Sequence, residues 1–196
     1  MSRRASLALL NEIKACRVCA DKLPHEPRPV LSFGPRARVA LIGQAPGASV
    51  HKSGVPWDDP SGETLRDWMA IDRDRFYDPD VIAIVPMGFC FPGHGKSGDL
   101  PPRIECAPLW HERIFEQLDV DLTLLVGQYA QAQYLGDRRA RTLTETVKNW
   151  RDFGSSVLPL PHPSPRNRPW LAKNPWFMKE VVPVLRRRLG RVGARG

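Results

Sequence analysis

The segment VALIGQAPG, residues 39–47, begins with a short apolar run and ends in a turn rich in glycine and proline. The run predicts a buried β-strand, and the Gly-x-x-Pro-Gly sequence after it predicts a sharp turn. Three similar runs follow, at residues 80–87, 121–127 and 156–161. Because helix-forming stretches separate these runs, we expect an α/β fold of three layers. Helices would cover both faces of a central four-stranded, mainly parallel sheet.

The remaining segments complete a single domain of 196 residues. Residues 1–37 would form an N-terminal helix at 5–19 and a proline-rich connection at 20–37, and residues 190–196 a basic tail. Residues 88–102 are rich in glycine and proline and predict a loop. Further helices are predicted at residues 64–71 (with Ser61 as a possible cap), 106–118, 128–135, 142–151 and 174–189.

The formal net charge of +8 favours a polyanionic partner such as DNA. No apolar run approaches the ~18 residues that a membrane span requires. The basic and apolar N-terminus could pass for a signal peptide, but Asn11, Glu12 and Lys14 interrupt it and favour an amphipathic helix. We therefore expect a monomeric protein in the cytoplasm, without a membrane partner.

The four cysteines form two pairs, Cys16-x2-Cys19 and Cys90-x15-Cys106. Disulfides are disfavoured in the cytoplasm, so a site with four thiolate ligands is the leading interpretation. Such a site could hold a [4Fe–4S] cluster or a structural zinc ion. Four unrelated buried thiols are the remaining alternative.

Two short motifs follow predicted strands, GQAPG at 43–47 and HPSPRN at 162–167. The first can direct backbone N–H groups towards a ligand, and the second combines His162 with a stiff turn and a Ser/Arg/Asn cluster. An enzyme that flips a base out of DNA needs such parts: a tight pocket, a donor to the base and phosphate contacts. Ordinary turns are the alternative, because both patterns are common. A nucleotide-triphosphatase is disfavoured, since Cys90 stands where a phosphate-binding loop before Gly95 and Lys96 requires glycine.

GQAPG resembles motif A of the uracil-DNA glycosylases, and HPSPRN resembles their motif B, in the same order and at nearly the usual separation. Residues 53–65, SGVPWDDPSGETL, are similar to the segment whose aromatic side chain stacks on the flipped uracil. The cysteine pattern resembles that of the iron–sulfur branches called families four and five. The resemblance covers about residues 13–187. It implies a DNA-repair glycosylase that hydrolyses the N-glycosidic bond of uracil, or of a related deaminated base, and leaves an abasic site.

The resemblance also implies a role for individual residues. His162 would donate to uracil O2 as charge develops on the base, and Asp59 would orient water. The implied base pocket consists of Gly43, Gln44, Ala45, Pro46, Gly47, Trp57 and Pro86. The implied DNA contacts are Ser164, Arg166, Asn167 and Arg168. The implied ligands of a structural [4Fe–4S] cluster are Cys16, Cys19, Cys90 and Cys106.

Several of these roles have alternatives. Trp57 could be an ordinary core tryptophan, His162 a surface histidine at a turn, and Asp59 the cap of the helix that begins near Ser61. Ala45 replaces the aspartate that the best-known members carry, and Pro86 replaces an asparagine that pairs with uracil. These two departures favour the rival function, a non-catalytic iron–sulfur module that binds DNA without hydrolysis. A redox-sensing iron–sulfur protein without a role on DNA is a third possibility.

Overall fold

The computed structural model describes residues 2–96 and 98–193. Its central sheet contains β1 (Val39–Ile42), β2 (Ile82–Ile84), β5 (Leu122–Val126) and β6 (Val157–Leu160), and a small antiparallel hairpin contains β3 (His94–Gly95) and β4 (Gly98–Asp99). The central strands lie in the order β2-β1-β5-β6, and every neighbouring pair is parallel. The predicted four-stranded parallel sheet is therefore confirmed.

Helices surround this sheet. They are α1 (Arg3–Lys14), α2 (Ala48–Ser53), α3 (Pro60–Met69), α4 (Arg73–Tyr77), α5 (Glu112–Phe115), α6 (Gln128–Leu135), α7 (Leu143–Lys148), α8 (Arg168–Lys173) and α9 (Val182–Gly193). Wider π-helical turns precede α5 and α9, at Ala107–His111 and Phe177–Val181. Single 3₁₀ turns lie at Ala20–Lys22, Gly136–Arg138, Trp150–Phe153 and Pro165–Asn167.

The strands send alternate side chains to opposite faces of the sheet, as the pleat of a strand requires. Val39 and Leu41 of β1 enter a core that includes Leu65 of α3 and side chains of α4, α7 and α9. Ile42 points to the other face and packs with Ala130 of α6, while α1 and α5 cover the neighbouring part of that face. Burial on both faces explains why the strands are apolar without polar alternation, and it produces the three predicted layers.

The N-terminal helix is shorter than the predicted 5–19. It ends at Lys14, and Cys16 and Cys19 lie in the turns that follow. Arg17 donates from its guanidinium to the carbonyl oxygens of Lys14 and Cys16, so its side chain satisfies carbonyls that a longer helix would have used. The first cysteine pair is therefore carried by turns and not by the helix.

The cap of α3 is Asp59, and the expectation of Ser61 as cap is wrong. Asp59 Oδ1 accepts a hydrogen bond from the Gly62 amide at 2.8 Å, and Pro60 occupies the first helical position. Proline suits that position because its missing N–H would have had no partner within the helix. Ser61 lies buried inside the first turn.

Three more predictions need correction. The predicted loop 88–102 contains the β3–β4 hairpin, and α2, α4 and α8 were not expected. Residues 190–193 of the predicted basic tail continue α9, because that helix packs along the sheet with Leu185 fully buried. The remaining residues of that tail, 194–196, lie outside the described residues.

The strand order creates a crevice at one edge of the sheet. The chain leaves β1 for its neighbour β2 on one side and later returns to β5 on the other side. Ligands of such sheets bind outside the carboxyl ends of the strands, near the point where the order reverses. The segments after β1, β2 and β6 all emerge at this edge.

Candidate active site

A cavity of about 590 Å³ opens at the carboxyl edge of the sheet. It collects predicted site residues from four separate segments of the chain. Those that line it are Gly43, Gln44, Ala45, Pro46, Gly47, Trp57, Asp59, Pro86, His162, Ser164, Arg166 and Asn167. Arg168 begins α8 and is exposed at the surface.

His162 follows β6 and is half-buried in the cavity wall. The Ser164 amide donates to its Nδ1 at 3.2 Å, and the Asn167 side chain donates to its carbonyl oxygen at 2.7 Å. Since Nδ1 accepts a hydrogen bond, this geometry assigns the proton of the neutral ring to Nε2. Desolvation lowers the pKa of His162, and the charges of Asp59 and Asp99 oppose that shift. His162 is therefore a neutral N–H donor at pH 7.

Trp57 forms the neighbouring wall. Its ring lies against the backbone of Gly43, where an added Cβ would stand 2.8 Å from Trp57 Cζ2. Its ring centroid is 5.6 Å from that of His162, with the planes inclined by 33°. Because Trp57 is half-buried and borders the cavity, it differs from a core residue such as Trp68, which is 4% exposed. A flat apolar surface and an N–H donor thus lie side by side.

Asp59 both caps a helix and lines the cavity. Its hydrogen bond to Gly62 makes it the cap of α3, and the residue also lines the cavity close enough to His162 to influence its pKa. The capping role predicted as an alternative is confirmed. The role of orienting water stays a prediction.

Motif A is bound to the segment after β2. The carbonyl oxygens of Gly43 and Gln44 accept hydrogen bonds from the amides of Met87 and Gly88, both at 2.9 Å. These bonds continue the sheet past the end of β1, so they hold the turn rigidly against Pro86. Those two carbonyl groups are consequently already paired within the protein.

Sequence reasoning missed the support beneath Pro86. His111 lies buried behind the cavity, and its Nε2 donates to the Pro86 carbonyl at 3.1 Å. The Tyr134 hydroxyl lies 2.6 Å from His111 Nδ1 and donates to it, because the other ring nitrogen carries the proton. Burial lowers the pKa of His111 to about 4, so the ring is neutral. A histidine inside a helical stretch, without a motif around it, carried no signal for this role.

The β3–β4 hairpin supplies another unexpected wall. His94 Nδ1 lies 2.8 Å from Asp99 Oδ1, and both residues line the cavity. Arg166 of motif B lies so close to the hairpin that a Cβ at Gly98 would stand 2.6 Å from its Nη1. The sequence of residues 91–99, FPGHGKSGD, carries no pattern that predicts a place beside motif B.

The four cysteines line a second, small cavity together with Phe89 and Trp110. All four are free thiols. Burial raises the pKa of Cys90 to about 11 and that of Cys106 to about 12, and the neighbouring thiols act in the same direction. Across residues 2–96 and 98–193, no group of three or more His, Cys, Asp or Glu side chains is arranged so that it could hold a metal ion.

A profile of the Uracil DNA glycosylase superfamily matches residues 31–186, which is most of the chain. The chain belongs to the uracil DNA glycosylase superfamily. The family consists generally of DNA glycosylases, hydrolases that act on DNA. Its match includes both motifs and every predicted pocket residue, whereas Cys16 and Cys19 precede it.

Among the residues that the structure describes in this uracil DNA glycosylase superfamily member, no helix is both long and apolar enough to cross a bilayer.

Proposed function

We propose that this protein is a DNA glycosylase that hydrolyses the N-glycosidic bond of uracil, or of a related deaminated base, and leaves an abasic site. The observation that carries the proposal is the neutral His162, whose Nε2–H is available beside the Trp57 ring in the cavity. A flipped base needs a flat apolar surface for its ring and a donor for the oxygen on which charge develops.

The proposed reaction breaks the C1′–N bond with its electron pair leaving on the base. The sugar becomes an oxocarbenium-like cation, water adds its hydroxyl to C1′, and the base departs with a proton from that water. A donor that is already oriented at the developing anion typically contributes ~10²–10³-fold in rate. His162 is held in one tautomer by Ser164, so its N–H needs no reorganisation as the charge appears.

Asp59 is the candidate residue for stabilising the cationic sugar. Ala45 supplies no carboxylate in motif A, whereas the Asp59 carboxylate borders the same cavity. We propose that Asp59 orients water and stabilises the positive sugar while one of its oxygens caps α3.

We further propose that the protein binds DNA as a monomer in the cytoplasm, through Ser164, Arg166, Asn167 and Arg168. Arg166 and Arg168 are exposed, and Arg166 also lines the cavity. Their charge would attract the phosphates on either side of a flipped nucleotide.

The cysteines would hold a [4Fe–4S] cluster of structural function, and zinc is the alternative. The proposal rests on the chemistry of the donors, because four thiols border one small cavity and thiolates ligate both groups. A bound group would tie the turn after α1 to the loop after β2 and to Cys106, which precedes the π-helical turn. Protein purified without oxygen should be brown and lose its colour when Cys106 is changed to alanine. Colourless protein with stoichiometric zinc would contradict the cluster.

The rival function is a DNA-binding module without hydrolysis, and Pro86 favours it. Its ring offers no hydrogen bond to a base, and its carbonyl is paired with His111. The decisive experiment measures release of the free base from oligonucleotides that contain uracil, hypoxanthine, xanthine or a mismatched thymine. Release from any of them supports a glycosylase, and binding without release supports the module.

A further inference from the structure

Trp57 adopts a backbone conformation that its side chain does not favour. Its φ angle is 57°, in the left-handed region, and only Trp57 and Ala70 combine a positive φ with a side chain among the described residues. A bulky residue persists there only when the surrounding structure enforces it. The contacts that enforce it are therefore informative.

The carbonyl oxygen of Trp57 is held by two donors from different helices. The Tyr77 hydroxyl of α4 donates to it at 3.2 Å, and Arg66 Nη1 of α3 donates at 3.4 Å. The same Nη1 of Arg66 also donates to the Tyr77 hydroxyl at 3.1 Å, so the three groups form a closed triangle. Gly62 permits this approach, because any Cβ there would collide with the Trp57 carbonyl.

Arg66 is unusually buried for its charge, with 9% of its surface exposed. Its guanidinium lies 5.4 Å and 5.7 Å from the ring centroids of Phe76 and Tyr77, both in α4. Burying an arginine is costly unless its charge is paired or its N–H groups are hydrogen-bonded. Here the guanidinium donates to the Trp57 carbonyl, so this buried charge helps to fix the position of that carbonyl.

The two residues after Trp57 are anchored as well. Asp58 pairs with Arg73 of α4 at 2.8 Å, and Asp59 binds the Gly62 amide. Arg73 also lies over the ring of Tyr77, at 5.0 Å. The segment 57–59 is thus attached residue by residue to α3 and α4.

We propose that Arg66 and Tyr77 are positioning residues that set the Trp57 ring as the platform for the flipped base. This inference rests on the proposed function. Neither residue lines the cavity, so both act through the Trp57 carbonyl and not on the base. A loop would otherwise let the ring drift, and small misplacements of a binding surface cost large factors in rate.

The first test is a double-mutant cycle on base release. Tyr77→Phe removes one hydroxyl and keeps the ring, so the single-turnover rate should fall by about 3–10-fold, the loss of one hydrogen bond. The affinity for DNA should change little. In a Trp57→Ala background the same change should have no further effect, because the platform is absent. An equal fall in both backgrounds would overturn the inference, and Tyr129→Phe is the matched control on α6.

The second test does not depend on activity. In protein labelled with 5-fluorotryptophan, the fluorine resonance of Trp57 is assigned by its loss in Trp57→Phe. Tyr77→Phe should move or broaden this resonance, whereas Tyr129→Phe should leave it in place. An unmoved resonance overturns the positioning role even if the enzyme is active. A wild-type protein that releases no base, with a resonance that does move, overturns the proposed function alone.

Discussion

His162 acts in the proposed reaction through the hydrogen on Nε2. That hydrogen is present because the Ser164 amide occupies Nδ1 and because desolvation lowers the pKa of the ring. A neutral donor is suited to a base that leaves as an anion, since it stabilises the charge without having to lose its own proton. In the proposed reaction, His162 would therefore stabilise the transition state and contribute little to DNA binding.

We predict that His162→Ala lowers single-turnover cleavage by roughly 10²–10³-fold. The dissociation constant for substrate DNA should stay nearly constant, because the donor acts mainly in the transition state. Rapid-quench kinetics and DNA titration on the same oligonucleotide measure the two quantities. A fully active His162→Ala protein would remove motif B from the catalytic site.

Asp59 carries a structural and a proposed chemical role, and two substitutions separate them. Asp59→Asn keeps a capping side chain, so the free energy of unfolding should change little, but cleavage should fall by about 10²–10⁴-fold without the carboxylate. Asp59→Ala should in addition destabilise the fold by about 1 kcal/mol through loss of the cap. An Asp59→Asn protein with full activity would assign Asp59 to the cap alone.

At the scale of elements, the π-helical turn before α5 supports the cavity from behind. His111 of this turn donates to the carbonyl of Pro86, and that bond crosses from the helical layer to the segment after β2. The ring can donate this bond in either protonation state, whereas the bond from the Tyr134 hydroxyl requires a neutral ring, because Nδ1 accepts it. Protonation of His111 would therefore cost the bond from Tyr134 and leave the bond to Pro86 in place.

The burial of His111 predicts a loss of stability in acid. The pKa of His111 is about 4 in the folded protein, against an ordinary value of 6.5. In the unfolded chain the His111 ring binds a proton below pH 6.5, whereas in the folded protein it does so only below about pH 4. Stability should therefore decline as the pH falls through this window, by about 3 kcal/mol in total from this residue. Urea unfolding between pH 7 and pH 4 measures the decline, and His111→Gln should make it shallower. An identical slope in that variant would contradict the assignment.

At the scale of the whole molecule, positive charge is present at both edges of the sheet. Arg166 and Arg168 accompany motif B at the carboxyl edge. Arg187 and Arg191 are exposed on α9, whose last turns border Val39 and Ile82, the first residues of β1 and β2. Net charge alone does not distinguish these two surfaces, and we propose that the carboxyl edge faces DNA because it holds the cavity.

We predict that replacing Arg166 and Arg168 together with glutamine flattens the log–log dependence of DNA affinity on salt by about two units. Each arginine that contacts a phosphate releases about one counterion, so two lost contacts reduce the slope accordingly. The paired substitution of Arg187 and Arg191 is the matched control and should leave the slope unchanged. The reverse result would move the DNA surface to the amino edge.

The sequence by itself determined the sheet and the location of its site. Four apolar runs separated by helical stretches are local patterns, and parallel strands necessarily bring their carboxyl ends to one edge. The motifs after residues 42 and 160 follow two of these strands, and in the structure they meet around Gly43 and His162. The Asp59 cap was also readable, because capping depends on neighbours three residues apart.

Only the tertiary structure decided how the pocket is built. The triangle of Arg66, Tyr77 and the Trp57 carbonyl, and the bond from His111 to Pro86, join residues distant in sequence. No local pattern encodes such contacts, because each depends on how separate helices pack against the sheet. For the same physical reason, the left-handed backbone of Trp57 appears only once α3 and α4 are in place.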